Sequence, residues 1–82
     1  MKYVYLLQSI SHPQQRYVGL TSDFDKRLAA HNSGQSHHTS KFRPWKLVTL
    51  VAFTDPDKAS AFEKYLKSGS GRAFANKRFW PG

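Results

Sequence analysis

Glu63 is the one glutamate in a chain of 82 residues that carries 13 lysines and arginines against five acids, a formal net charge of +8. The four aspartates, Asp23, Asp25, Asp55 and Asp57, stand where helices begin, and there a carboxylate caps free N–H groups and meets the positive end of the helix dipole. Glu63 has no such role. At 100° per residue, Ala59, Phe62, Glu63 and Leu66 share one arc of a helix, while Lys58, Lys64 and Lys67 fall outside it. An acid turned toward apolar neighbours is costly unless something pairs with it. In so basic a chain that points to a divalent metal ion or to a buried ion pair.

An earlier segment repeats the anomaly. Phe24, Arg27, Leu28 and His31 occupy one arc of about 100°, and Arg27 and His31, four apart, are neighbours on it. Taken singly, Arg27 fits a side chain whose stem lies on the core and whose head reaches water, and His31 fits a partner for the helix C-terminus. Taken together with Glu63, they fit one shared site. Tyr3 and Tyr5 project to one face of a first strand, and Tyr17 and Gly19 to one face of a second. The hairpin register decides whether those faces coincide. Half-buried sheet tyrosine is the ordinary alternative, and the fitting one for Tyr3.

The elements that position these residues are well punctuated. KYVYLLQ (2–8) reads as a buried strand and RYVGLT (16–21) as its hairpin partner, with Gly19 marking a bulge or a close backbone approach. Residues 22–34 form a helix opened by a Ser22–Asp25 capping box and closed by Gly34. Residues 35–45 are a polar, basic loop, and KLVTLVAF (46–53) is the clearest strand. Residues 55–69 form a helix capped by Asp55, with Pro56 at its first position and Gly69 at its end. The rest reads as a short basic helix begun by Ser70. The order β-β-α-β-α-α predicts an α+β fold, a small three-stranded, mostly antiparallel sheet flanked by helices, in one domain spanning 1–82.

Composition narrows the function. With no cysteine there is neither a disulfide framework nor a Cys-based zinc site. The N-terminal apolar run is too short for a leader, and no stretch approaches the roughly 20 apolar residues of a membrane span. These features predict a cytoplasmic protein with no membrane partner. The excess of positive charge predicts nucleic acid as the partner. Lys41, Arg43 and Lys46 interleaved with Phe42 and Trp45 suit phosphate contact and base stacking, and Arg72, Lys77 and Arg78 with Phe74, Phe79 and Trp80 repeat the pattern. Either set also fits a solvated face over aromatic packing. His37–His38 reads as a solvated loop pair. There is no Gly-rich phosphate loop, no HExxH pair and no GxSxG elbow.

Tyr3-Val4-Tyr5 and Tyr17-Val18-Gly19, followed in order by Arg27, His31 and Glu63, resemble the signature of the GIY-YIG nuclease superfamily. The style is that of its small stand-alone bacterial members, and the resemblance covers nearly the whole chain. It implies a metal-dependent endonuclease acting on DNA more than on RNA, as a monomer or weak dimer of low sequence specificity. By analogy Glu63 holds one divalent ion, Mg²⁺ or Mn²⁺; Arg27 neutralises the transition state; Tyr17 or Tyr5 activates or positions the attacking water; and His31 assists. Gly19, Lys41, Arg43, Lys67, Arg72 and Asn76 are the expected substrate-binding residues. Free tyrosine, with a pKa of about 10, is only ~0.1% ionised at pH 7, while histidine at about 6.5 is a ready base. Tyrosine serves as a base only where a cation or a histidine lowers its pKa. Both remain open, with Tyr17 ahead. The chain departs from the pattern in Tyr3, which replaces a glycine, in Leu20, where some relatives carry lysine, and in the register of Asn76. A non-catalytic nucleic-acid-binding module on the same scaffold is the alternative.

Overall fold

The computed structural model describes residues 1–81. Lys2–Ser9 (β1) is the middle strand of an antiparallel sheet, with Arg16–Thr21 (β2) on one side and Trp45–Phe53 (β3) on the other. Residues 4–9 are all buried, which explains the unbroken apolar run: a strand covered on both faces has no polar side to present. The β1–β2 register pairs Tyr3 with Thr21, Tyr5 with Gly19 and Leu7 with Tyr17. Tyr5, Tyr17 and Gly19 therefore share one face, which the sequence alone left open.

Helices cover the two faces unequally. Val4 and Leu6 point to Pro56–Leu66 (α2) and Gly69–Arg78 (α3), where Ala59, Leu66 and Ala75 complete a core with Val18, Leu20, Phe53 and Phe62 around it. Tyr5 and Leu7 point the other way. There they pack with Trp45 beneath Phe24 and Leu28 of Phe24–Ser33 (α1), and beside Phe42 of the short 3-10 turn Ser40–Phe42. The expected β-β-α-β-α-α arrangement, three antiparallel strands flanked by three helices, is what the chain adopts.

Three boundaries differ from expectation. Asp23, not Ser22, caps α1: its backbone is extended and its carboxylate accepts from Lys26 N–H at 3.1 Å. α2 keeps its Asp55 cap and Pro56 start but stops at Leu66. The hydroxyl of Ser68 accepts from Gly71 N–H at 3.2 Å and opens α3, so Gly69 begins the last helix rather than ending the one before. Gly34 leaves α1 in the left-handed region at φ 86°, as expected. Trp45 is buried, and its indole N–H donates to the Thr39 carbonyl at 2.8 Å. It is a core anchor rather than a stacking platform for bases.

Candidate active site

Tyr5 and His31 are both 0% exposed. A buried hydroxyl and a buried imidazole must find partners, and they find each other: Tyr5 Oη lies 3.0 Å from His31 Nε2. Arg27 reaches over from the preceding turn of α1 and donates from Nε to Tyr5 Oη at 3.3 Å. Behind the imidazole, His31 Nδ1 lies 2.8 Å from Thr39 Oγ1. The result is one hydrogen-bonded chain running from an exposed guanidinium, through a phenol and an imidazole, to a loop hydroxyl.

The electrostatics follow from this placement. Burial pushes the Tyr5 hydroxyl above its usual pKa of about 10, and the Arg27 hydrogen bond opposes that without cancelling it. Burial, and then the positive charge of Arg27, hold His31 below its usual value. Arg27 is raised, chiefly by its hydrogen bond to Tyr5. At neutral pH the chain therefore holds a charged guanidinium, a neutral phenol and a neutral imidazole.

Gly19 explains how Tyr5 fits. A Cβ on Gly19 would overlap the hydroxyl end of the Tyr5 ring, which is held in place by bonds to its hydroxyl from two directions. Tyr17 lies one pair along. Its ring packs edge-on against His31 with centroids 4.8 Å apart, and tilted against Tyr5 at 6.0 Å. Of the two tyrosines it is the one that reaches solvent, being only half-buried. Its nearness also helps to raise the Tyr5 and Arg27 pKa values. Tyr3 takes no part in these bonds and lines a separate depression with Asp23, Asp25 and Leu50.

The structure thus brings Tyr5, Tyr17, Gly19, Arg27 and His31 together. Glu63 comes from α2, which packs on the other face of the sheet. Its side chain is 14% exposed and forms an ion pair with Lys67, one turn on and 55% exposed. The ion pair weighed from the sequence exists, with Lys67 rather than Arg27 as the partner. Lys67 in turn lines a groove of about 400 Å³ with Arg16, Tyr17, Val18, Leu66, Arg72 and Trp80. The groove wraps the free edge of β2, so Tyr17 belongs both to it and to the buried cluster. Asn76 accepts from Arg16 at 3.2 Å, and that guanidinium lies 4.9 Å from the Trp80 ring centre. Lys41 and Arg43 are exposed on the loop across the sheet. The Arg43 guanidinium rests over Gly34 at the negative end of α1. His37 and His38 are exposed, and among the described residues no three His, Asp or Glu side chains come together.

Two functional supports were invisible in the sequence. Thr39 lay in a loop whose only signal was polarity. Asn32 looked like an ordinary helix-end residue, yet its amide brackets Trp45, accepting from its N–H at 2.6 Å and donating to its carbonyl at 3.1 Å. A long apolar residue at the start of β3, beside a turn that had to be anchored, was the one available hint.

The sequence profile of the GIY-YIG catalytic domain matches residues 1–78. The chain belongs to the GIY-YIG family. This GIY-YIG domain is 41% identical over 66 residues to the structure-specific endonuclease subunit SLX1 of Scheffersomyces stipitis, covering 73% of the chain and 19% of that protein. It is 39% identical over 66 residues to a UPF0213 protein of Lactococcus lactis subsp. cremoris, covering 79% of the chain and 65% of the relative. The solution NMR structure of a UPF0213 protein from Bacillus halodurans matches with a TM-score of 0.55 at 32% identity, over 93% of this chain and 81% of that one. The chain spans only about a fifth of the SLX1 subunits it matches.

These relatives also correct the expected location. The SLX1 matches are structure-specific endonuclease subunits, and on that finding the cytoplasmic assignment does not stand. The physical reason is that a short N-terminal apolar run and an absence of cysteine do not specify a compartment. Among the described residues, no helix is long and apolar enough to cross a membrane.

Proposed function

We propose that this GIY-YIG domain is a divalent-metal-dependent endonuclease that hydrolyses phosphodiester bonds in DNA, with low sequence specificity, during repair or processing. Residues 1–82 act as one nuclease domain in the manner of the small stand-alone bacterial members, as a monomer or weak dimer. The observation that carries this reading is the chain Arg27–Tyr5–His31 with Tyr17 packed against it. A binding module has no need to hold a guanidinium on a buried phenol.

The roles follow from exposure. Arg27, its head in solvent and its Nε fixed by Tyr5, neutralises the charge that builds on the phosphoryl oxygens. Tyr5 is too deeply buried to meet water and serves to orient Arg27 and His31. Tyr17 is the group that positions the attacking water, because His31 is wholly covered and its Nε2 is occupied by Tyr5. The groove cations Lys67 and Arg72 hold the substrate backbone, with Asn76 fixing Arg16 beside them; Gly19 shapes the floor, and Lys41 and Arg43 extend the basic surface. The excess of positive charge supports a nucleic-acid substrate, and DNA rather than RNA is the one proposed here.

Glu63 is the residue that would hold Mg²⁺ or Mn²⁺. The donor set fits: Mg²⁺ is commonly held by one or two carboxylates, with phosphate oxygens and retained waters filling its other positions, and the Glu63 carboxylate is half-buried and already draws a cation, Lys67. When bound, the ion supplies charge stabilisation at the leaving oxygen.

One assay tests the proposal. Supercoiled, single-stranded and branched DNA are incubated with the protein, with and without Mg²⁺, beside Glu63→Gln and Arg27→Ala. Cleavage that needs metal and disappears in both variants supports it; binding without cleavage in any metal refutes it. The second reading, a nucleic-acid-binding module, draws on one observation: Glu63 is ion-paired and its helix lies across the sheet from Arg27 and His31.

A further inference from the structure

Arg27 gives the buried chain a direction at one end. A guanidinium only donates, so at the Arg27 bond Tyr5 Oη accepts. The phenolic hydrogen then needs an acceptor of its own, and the structure offers His31 Nε2 at 3.0 Å. An imidazole nitrogen that accepts carries no hydrogen. The neutral ring must therefore carry its proton on Nδ1, which faces Thr39 Oγ1 at 2.8 Å. Thr39 accepts there, and its own hydrogen turns to the Ser36 carbonyl, 3.4 Å away. The Thr39 carbonyl is held by the Trp45 indole and its N–H by the Ser36 carbonyl, so the hydroxyl is presented from a fixed backbone.

We propose that Thr39 is a positioning residue that locks His31 in the Nδ1–H tautomer, so that Nε2 draws the Tyr5 hydroxyl hydrogen and leaves the Tyr5 oxygen free to hold Arg27. Without the threonine oxygen, a buried Nδ1–H has no acceptor, and such a group costs about 1–3 kcal/mol. The ring avoids that cost by moving its proton to Nε2. It then donates to Tyr5, so the buried phenolic hydrogen loses its acceptor at Nε2 and the Tyr5 oxygen is shared with Arg27. That Arg27 is needed for cleavage rests on the function proposed above; the tautomer does not.

The test is the protonation pattern of the imidazole, read by long-range ¹H–¹⁵N NMR of histidine-labelled protein near neutral pH. The intact protein is expected to show His31 with a protonated Nδ1 and a bare Nε2. Thr39→Ser keeps that pattern and Thr39→Val inverts it. On Mg²⁺-dependent DNA cleavage, Thr39→Val lowers kcat roughly tenfold, the scale of one lost hydrogen bond at the upper end of its net value, and Thr39→Ser restores it. A wild-type His31 bearing its proton on Nε2 overturns the proposal, and so does a Thr39→Val variant that folds and keeps the Nδ1–H form. If Thr39→Val does not fold, the wild-type and Thr39→Ser spectra decide. A protein with the assigned tautomer that cuts no DNA leaves this inference standing and removes the nuclease reading.

Discussion

Gly19 and His31 show how little freedom single residues have here. A methyl group on Gly19 must displace a Tyr5 ring that is wholly buried and bonded to both His31 and Arg27. Overpacking of this kind costs about 1–3 kcal/mol, so Gly19→Ala is expected to lower the unfolding free energy by that amount, read as a lower urea midpoint, and to release Arg27. For His31 the sign can be worked out from its depressed pKa. Between the folded value and about 6.5, the unfolded chain takes up a proton that the folded chain refuses, so stability rises with pH. The contribution is complete above about pH 6.5 and is lost as pH falls through the folded value. Urea melts between about pH 7.5 and about pH 5 should show that decline in the wild type, and a flatter profile in His31→Gln. The remaining histidines, His12, His37 and His38, are exposed. These site residues were legible in the sequence because their types contradict their positions: an imidazole and a guanidinium on an apolar arc require an explanation. Thr39 contradicts nothing in its loop, and so gave no signal.

At the scale of elements, α1 and β3 are joined by the Asn32 bracket on Trp45 as well as by apolar packing. The bracket replaces a strand neighbour at a point where the chain has just left a turn. Asn32→Ala removes both bonds and leaves the Trp45 backbone N–H unpaired, at a cost of about 1–2 kcal/mol. It should lower the denaturation midpoint while leaving the m-value unchanged, and Thr39 should loosen with it, since the same tryptophan holds its carbonyl. The elements themselves were readable from the order of buried runs, Asp caps and glycines. What escaped was the α2–α3 junction. Gly69 looks like a helix stop when judged locally, but the Ser68 hydroxyl captures the next free N–H and turns the same glycine into a start. Register was equally out of reach, since it depends on pairing between strands rather than on either strand alone.

For the whole molecule the decisive quantity is charge. A net +8 on 82 residues attracts any polyanion, and binding to duplex DNA should weaken with salt at a slope of about −0.9 for each phosphate neutralised. Arg72→Gln, which removes one cation from the β2-edge groove, is expected to reduce that slope by about one without altering sequence preference. Fluorescence titrations across a salt series measure both. An unchanged slope would place the DNA elsewhere on the surface.

The middle position of β1 has a consequence of its own. Its backbone is bonded to a neighbour on either side, so the amide of Tyr5 cannot exchange with solvent by fraying; it opens when the sheet comes apart. The phenol that holds Arg27 and His31 is thus carried on the strand that is paired on both sides. Evolution can retune this centre by trimming its rim, but any change to its floor is a change to the survival of the fold.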